Sequence, residues 1–353
     1  MSYSNTKQVE ELIANCGKMT IKNSRKKKTT SNDTTNREKL KMIDLFAGTG
    51  AFTLAFESTN SVEVVFANDM VTQSQKIYDE NFNHKLTLKD LNELCVENIP
   101  RHDILTGGFP CQPFSIAGLK EGFKDERSNV FWKILSIIDH HSPKCVILEN
   151  VKNLVSHDNK KTFNIIKKEL QDRGYHICHK VLNTANITGI PQHRERIYII
   201  CIKSKNVFDK FSLDFPKIEK KHISNFLETN VPSKYYYDNS SSTWELVKSN
   251  VVKKETFYQY RRVYVRENKS SECPTLTANM GTGGHNVPII LDEKGIRKLT
   301  PRECFNLQGF PDSFKLPALC DSNLYKLAGN AVSVPVVNLI ADRIIPLLLD
   351  EYQ

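Results

Sequence analysis

Lys41-Met42-Ile43-Asp44-Leu45-Phe46-Ala47-Gly48-Thr49-Gly50-Ala51-Phe52 is the stretch from which the fold can be read. Met42 to Phe46 is a short apolar run, Ala47 to Gly50 is a glycine turn, and apolar residues from Phe52 to Phe56 recur at helical spacing. That order predicts strand, turn, helix. Outward along the chain the alternation repeats. A strand over Val62 to Ala67 ends at Asn68-Asp69 and leads to a helix through Gln75 to Asn81. A third strand, Asp103 to Leu105, meets Gly107-Gly108, and a helix follows over Asn129 to His140. Cys145 to Leu148 predicts a strand ending at Glu149-Asn150, then come a helix over Lys161 to Arg173 and strands at His176 to Leu182 and Ile197 to Ile202. Strands alternating with helices imply an α/β fold, a doubly wound and mainly parallel sheet with helices on both faces. In such sheets ligands bind beyond the carboxyl ends of the strands, where the short polar motifs of this chain fall.

Past Ile202 the rhythm is lost. Residues 203–275 hold Lys/Ser/Asn stretches and the cluster Tyr258-Gln259-Tyr260-Arg261-Arg262-Val263-Tyr264, and Asn279 to Asn286 is a glycine-rich loop. The expected organisation is a basic, flexible extension (1–40), a catalytic and cofactor-binding domain (41–202), a smaller β-rich and loop-rich domain with a hinge (203–317), and a helical segment (318–353) returning to the first domain. In the 353 residues, 39% apolar and 9% aromatic content is globular, and 49 Lys and Arg against 40 Asp and Glu leave a charge of +9. Residues 1–40 hold nine basic and four acidic groups and residues 201–275 fourteen and nine, +5 in each, around a nearly neutral body. Two such segments suit an acidic polymer, although a solvated Lys-rich surface reads the same way. The nine cysteines are scattered with no C-x-x-C pair, which suggests neither a zinc site nor a disulfide framework. A reducing cytosol is implied, with any special cysteine catalytic. Apolar runs such as Ile197 to Ile202 and Val334 to Ile340 fall short of a membrane span, and the early basic residues lead into no secretory apolar region.

Three motifs carry chemistry. Phe46 to Gly50 can cradle a nucleotide-like ligand, or be a plain strand-to-helix turn, and Asp69 at the end of the next strand is the usual residue type for ribose hydroxyls. The full G-x-G-x-x-G is absent, which argues against a nicotinamide oxidoreductase. Gly107-Gly108-Phe109-Pro110-Cys111-Gln112-Pro113-Phe114-Ser115 sets a cysteine on a loop of restricted shape. Buried structural cysteines are commoner, but a loop cysteine at a strand end can be a thiolate nucleophile. Glu149 can reach the same crevice or cap the following helix. Within Gln192-His193-Arg194-Glu195-Arg196, alternation puts Arg194 and Arg196 on one side of an extended chain, as ion-paired surface charges or as substrate ligands.

Taken with Glu149-Asn150-Val151, Gly329-Asn330-Ala331-Val332, and Arg297 to Cys304 followed by Leu307-Gln308-Gly309-Phe310-Pro311, these segments resemble the cytosine-C5 DNA methyltransferases. The resemblance covers about residues 41–202 and 273–340, in family order, and is closest to the compact bacterial restriction–modification type. It implies methyl transfer from S-adenosylmethionine, which leaves as S-adenosylhomocysteine, to C5 of a cytosine flipped out of duplex DNA, without a metal. Cys111 would attack C6, Glu149 would hold or protonate N3, Arg196 would contact O2 and Arg194 would support its loop. The implied cofactor residues are Phe46, Gly48, Gly50, Asp69, Met70, Asp90, Pro110 and Asn330. Two positions depart from the pattern: Ala51 stands where many relatives have glycine, and Met70 where some have tryptophan. The loop from Ser115 through Gly118, Gly122 and Asn129 would close over the base. The smaller domain would read DNA, with Gln112, Ser115, Arg261, Arg262, Arg266 and Thr275 as candidate contacts.

The same motifs serve tRNA cytosine methyltransferases, but those carry Cys-Phe-Thr, and here Cys304-Phe305 precedes Asn306. An inactive DNA-binding homologue would not need Cys111, Glu149 and Arg196 together. The implied partners are double-stranded DNA and a cognate restriction endonuclease acting on the same site. The expected protein is a monomer that avoids membranes and works in the cytoplasm at the nucleoid of a bacterium, or in the host cell of a phage or virus.

Overall fold

The chain divides into the units Met1–Arg37 and Glu38–Gln353, and the computed structural model describes residues 38–110, 129–261, 263–282 and 287–352 of the second. Within it run β1 (Leu40–Leu45), α1 (Ala51–Glu57), β2 (Val62–Asp69), α2 (Thr72–Asn81), β3 (Leu86–Leu88), β4 (Ile104–Gly108), α3 (Asn129–His141) and β5 (Cys145–Val151). Next come α4 (Lys161–Asp172), β6 (His176–Asn183), α5 (Thr184–Thr188) and β7 (Glu195–Ile202). The seven strands form one sheet in the order β3-β2-β1-β4-β5-β7-β6. The ladders of β1 with β2 and β4, of β2 with β3 and of β4 with β5 are parallel. Only β7 is reversed, antiparallel to both β5 and β6.

β1 is apolar on both faces because both are covered. Ile43 and Leu45 share a core with Phe131, Ile134 and Ile138 of α3 and Phe163 and Ile166 of α4. Leu40 and Met42 point the other way, into a core with Phe52 and Phe56 of α1 and Ile340 and Ile344 near the end of the chain. The doubly wound α/β sheet expected from the sequence is what forms. β4 runs on to Gly108, so the glycine pair belongs to the strand, and β3 is an edge strand that the sequence reading lacked.

After β7 come α6 (Lys205–Lys210), α7 (Trp244–Asn250), β8 (Phe257–Arg261), β9 (Tyr264–Asn268), β10 (Ile289–Leu291) and β11 (Ile296–Lys298). These four strands make a second sheet in the order β11-β10-β8-β9, antiparallel throughout. It buries its own cluster of Val247, Val251, Tyr258, Val265, Ile289 and Ile296. The fully buried Arg297 of β11 grips Glu303 of α8 (Pro301–Leu307) with two bonds of 2.7 and 2.8 Å and also pairs with Asp292. Glu303 and Thr300 form a capping box at the start of α8.

The closing stretch is two helices, α9 (Asp321–Asn330) and α10 (Val334–Tyr352), not one continuous run. Ala331 is extended and Pro335 lies in the first turn of α10, where its fixed φ starts a helix but cannot continue one. The α9–α10 stretch is long and apolar enough by composition to cross a membrane, but Val337, Ile340, Ala341, Ile344 and Leu348 are buried in the core.

Candidate active site

Backbone conformation builds the first wall. Phe46, Gly48 and Gly50 all take positive φ, at 55°, 55° and 74°. The turn is pinned from β2, because Gly48 N–H donates to Asp69 Oδ2 at 2.9 Å and Val71 N–H to Oδ1 at 2.8 Å. Burial raises the pKa of Asp69 against those hydrogen bonds. At Gly50 a Cβ would lie 2.3 Å from the Phe82 ring, so this glycine is required for packing and for its left-handed φ. It is not on the cavity wall.

Beyond the turn opens a cavity of about 370 Å³, into which the carboxyl ends of β1, β2, β4 and β5 all lead. Phe46, Gly48, Asp69 and Met70 line one side, Pro110 and Glu149 the base, Arg194 and Arg196 the far side, and Asn330 of α9 the rim. Asp90 is elsewhere: it follows β3 and caps its own turn by accepting from Asn92 N–H at 2.9 Å. Ala51 lies on the wall in a normal helical start, and Met70 is 66% exposed on it.

The reversal of β7 brings an arginine to Glu149. Val151 pairs with Arg196 and Glu149 with Tyr198 in the antiparallel ladder, so alternate residues share a face and the two charged side chains meet diagonally. Arg196 Nε lies 3.1 Å from Glu149 Oε1, an ion pair without an aligned hydrogen bond. Burial pushes the Glu149 carboxyl up, opposed by Arg196 and then Arg194. Arg194 is buried and donates to the carbonyls of Leu276 at 3.0 Å, Gly329 at 3.3 Å and Ala331 at 2.7 Å. Desolvation, with Arg196 beside it, pushes its pKa down to about 9. It clamps the returning segment to the head of β7. Gly329 permits this, because a Cβ there would lie 2.2 Å from the Thr277 backbone.

Two buried amides that sequence reasoning did not single out brace the segments around the site, Asn150 on the cavity wall and Gln192 off it. Asn150, buried at the end of β5, donates through Nδ2 to Phe109 O at 2.9 Å and so holds the backbone leading into Pro110. Gln192 is buried and donates to Leu307 O at 2.7 Å, joining β7 to α8. A signal existed for both, since a buried side-chain amide in a strand-end motif has to find partners. Cys111, Gln112, Ser115 and Arg262 lie outside the described residues. Thr275 gives its hydroxyl to His193 O at 2.5 Å and stands close to the arginine strand. Arg261 and Arg266 are exposed, and the register that pairs Gln259 with Arg266 and Arg261 with Tyr264 puts both arginines on one outward face of the β8–β9 hairpin. Among the described cysteines, Cys145, Cys201, Cys273 and Cys304 are buried and burial holds their thiols well above the usual range.

The profile described as C-5 cytosine-specific DNA methylase matches residues 40–346. The chain belongs to that family. Type II methyltransferase M.Bsp6I of Bacillus sp. (strain RFL6) is 46% identical over 309 residues, 86% of this chain and 98% of that protein. Type II methyltransferase M.HhaI of Haemophilus parahaemolyticus is 36% identical over 332 residues, 86% of this chain and 94% of its own. The S. pombe Dnmt2 methyltransferase structure superposes with a TM-score of 0.69 at 23% identity, over 88% of this chain and 99% of that one, which shows the same fold. This methylase is therefore a DNA (cytosine-5-)-methyltransferase related to bacterial Type II modification enzymes. Among its described residues no group of three or more His, Cys, Asp or Glu is arranged to hold a metal.

Proposed function

We propose that this methylase transfers a methyl group from S-adenosylmethionine to C5 of a flipped-out cytosine in a short duplex DNA sequence, through a covalent Cys111–C6 adduct. The cavity suits the cofactor: its wall holds a glycine turn, a ribose-type carboxylate in Asp69, and three buried polar atoms without hydrogen-bond partners among the described residues, Thr49 Oγ1, Glu149 Oε1 and Arg194 Nε. Phe46, Gly48, Asp69, Met70, Pro110 and Asn330 would hold it, and when bound it supplies an electrophilic methyl group. Gly50 would shape the turn, and Asp90 would act near the adenine only from outside the cavity wall.

One observation carries the proposal: Glu149 and Arg196 meet in the cavity that the glycine turn opens onto, with Pro110, the residue before Cys111, on the same wall. The Cys111 thiolate adds to C6 and pushes electrons into the ring. Glu149, whose burial favours the protonated form, hydrogen-bonds or protonates N3, and Arg196 stabilises O2. C5 then becomes nucleophilic; after methylation a base removes its proton and the thiol is eliminated. Arg194 positions the strand. We assign target reading to residues 203–317, with Arg261, Arg262, Arg266 and Thr275 as contacts to phosphate or guanine and Gln112 and Ser115 on the loop beside the base. Double-stranded DNA would be the partner, read by a monomer in the cytoplasm alongside a restriction endonuclease of the same specificity.

The test is incubation with methyl-labelled S-adenosylmethionine and either duplex DNA or tRNA, followed by digestion. Labelled 5-methylcytosine is expected in DNA; label in tRNA alone would overturn the substrate. Cys111→Ser should abolish transfer while cofactor binding persists, and full activity in that variant would remove the nucleophile.

A further inference from the structure

Behind the glycine turn, away from the cavity, lies a hydrogen-bonded chain that the methyl-transfer chemistry does not use. It starts at Asp44, a fully buried carboxylate in the last turn-side positions of β1. Asp44 Oδ2 accepts from Thr53 Oγ1 at 2.9 Å and Thr53 N–H at 3.3 Å, and Oδ1 accepts from Thr106 Oγ1 at 2.9 Å. It thereby ties β1, the first turn of α1 and β4 around the turn that Phe46 to Gly50 make. From Thr53 the chain runs outward: Thr53 Oγ1 to Tyr78 Oη at 2.9 Å, Tyr78 Oη to His84 Nδ1 at 3.3 Å, and His84 Nε2 to Glu57 Oε1 at 3.1 Å. Tyr78 is fully buried and the His84 side chain 26% exposed, so the chain connects a buried anion to solvent. The same cluster touches the turn by packing, because Phe82 stacks on His84 and fills the space a Cβ at Gly50 would need.

We infer that His84 is a positioning residue for the cofactor turn, acting through Tyr78 and Thr53 on Asp44, with one proton held in common along the chain. The inference rests on reading that turn as the cofactor's. Counting donors forces the sharing. If Asp44 is ionised, Thr53 donates to it, Tyr78 donates to Thr53, and the Tyr78 oxygen must accept from His84 Nδ1–H. Nε2 faces the Glu57 carboxylate and must also donate, so the imidazole is then doubly protonated. If His84 is neutral with its proton on Nε2, Nδ1 accepts from Tyr78, Tyr78 accepts from Thr53, and Asp44 must carry the proton and donate to Thr53. The two arrangements contain the same number of protons and differ by one concerted shift along the chain. Losing the proton leaves Tyr78 and His84 with two lone pairs facing each other, and one hydrogen bond is lost.

The charged neighbours agree with one proton held there. Asp44 faces Asp69 across the turn, Tyr78 faces Glu57 and Asp79, Asp79 is paired with Lys85, and His84 faces Glu57. Burial, with Asp69 beside it, raises the Asp44 pKa. A turn best ordered with the proton in place binds its ligand more weakly once the proton leaves, and by linkage ligand binding takes a proton up.

The experiment uses the whole protein and S-adenosylhomocysteine, with binding followed by calorimetry between pH 6 and 8 in buffers of different ionisation enthalpy. For wild type the affinity should fall about three-fold or more across that range, with proton uptake on binding. In Asp44→Asn/His84→Gln neither end of the chain can ionise, so its affinity should be flat and its binding free of proton uptake. Independently of any ligand, the NMR titration midpoint of the Asp44 carboxyl should move in Tyr78→Phe, which cuts the chain in the middle. A flat wild-type profile, a double-variant profile matching wild type, or an unmoved Asp44 midpoint in Tyr78→Phe would each overturn the inference. Wild type that binds no S-adenosylhomocysteine at all would instead overturn the cofactor reading, and the Asp44 titration would still decide the chain.

Discussion

Replacing Asn150 tests how the backbone that leads to Cys111, the proposed nucleophile, is held. Its Nδ2 donates to Phe109 O across 2.9 Å in a buried setting, and Phe109 and Pro110 lead directly into Cys111. Asn150→Ala deletes the donor and leaves the Phe109 carbonyl without it, which should cost about 1–3 kcal/mol of stability. The effect on rate should be larger than that on affinity. A displacement of about 1 Å at a reacting group can cost on the order of 100-fold, so single-turnover methyl transfer should slow by roughly one to two decades. Binding of S-adenosylhomocysteine should change less, because of its proposed residues only Pro110 adjoins the backbone that Asn150 holds. Asn150→Asp, nearly the same size, should be worse, since a carboxylate oxygen would face the carbonyl it has to bind. Quench-flow rates on a fixed duplex, with binding measured beside them, separate the two effects. If Asn150→Ala methylates within two-fold of wild type, the bond to Phe109 does not position Cys111 and the reasoning fails.

The raised pKa of Asp44, about 6 against 3.8, makes a signed prediction. A carboxyl raised on folding contributes stability fully present below pH 4 and lost as pH rises through about 6, so the wild type should lose stability relative to Asp44→Asn over that interval by about 2–3 kcal/mol. Urea unfolding at pH 4.5 and 7 measures it, and parallel curves would refute it. Arg297→Met should destabilise by about 3–5 kcal/mol because Glu303 is left buried and unpaired; urea unfolding within 1 kcal/mol of wild type would count against that network. Gly329→Ala pushes a methyl into the Thr277 backbone and should cost about 1–3 kcal/mol or more, seen as a lowered Tm; an unchanged Tm would show that the contact can yield.

Much of this architecture was legible in the residues because each signal was local. Met42 to Gly50 reads as strand and turn by apolar run and glycine alone, and Glu149 is visible as a carboxylate at a strand end. What brings Glu149 to Arg196 is not local. It depends on β7 running backwards beside β5, and two apolar strands of like composition carry no mark of their direction. β3 escaped for a different reason, since three residues at a sheet edge have no period to detect. The break at Ala331 to Ser333 was hidden by the unbroken apolar spacing on either side, although Pro335 marked it. Asp90 was expected near the adenine from the resemblance alone, and the structure shows one of its carboxylate oxygens, Oδ1, capping its own turn. Asn150 and Gly329 stood inside quoted motifs, but only the packing around them shows that one holds a loop and the other admits a backbone.

The cavity takes Phe46 from the start of the folded body and Asn330 from near its end. Roughly 280 residues separate them, so at about 5–20 residues per second a ribosome needs about 15–60 s between making the first wall and the last. For most of that interval the nascent chain carries the residues of β1, its turn and Asp69 but not those of the rim, and the three carbonyls that Arg194 clamps are incomplete until Ala331 has been added. A chain that stops short of Gly329 lacks Asn330 and two of the three carbonyls that Arg194 clamps.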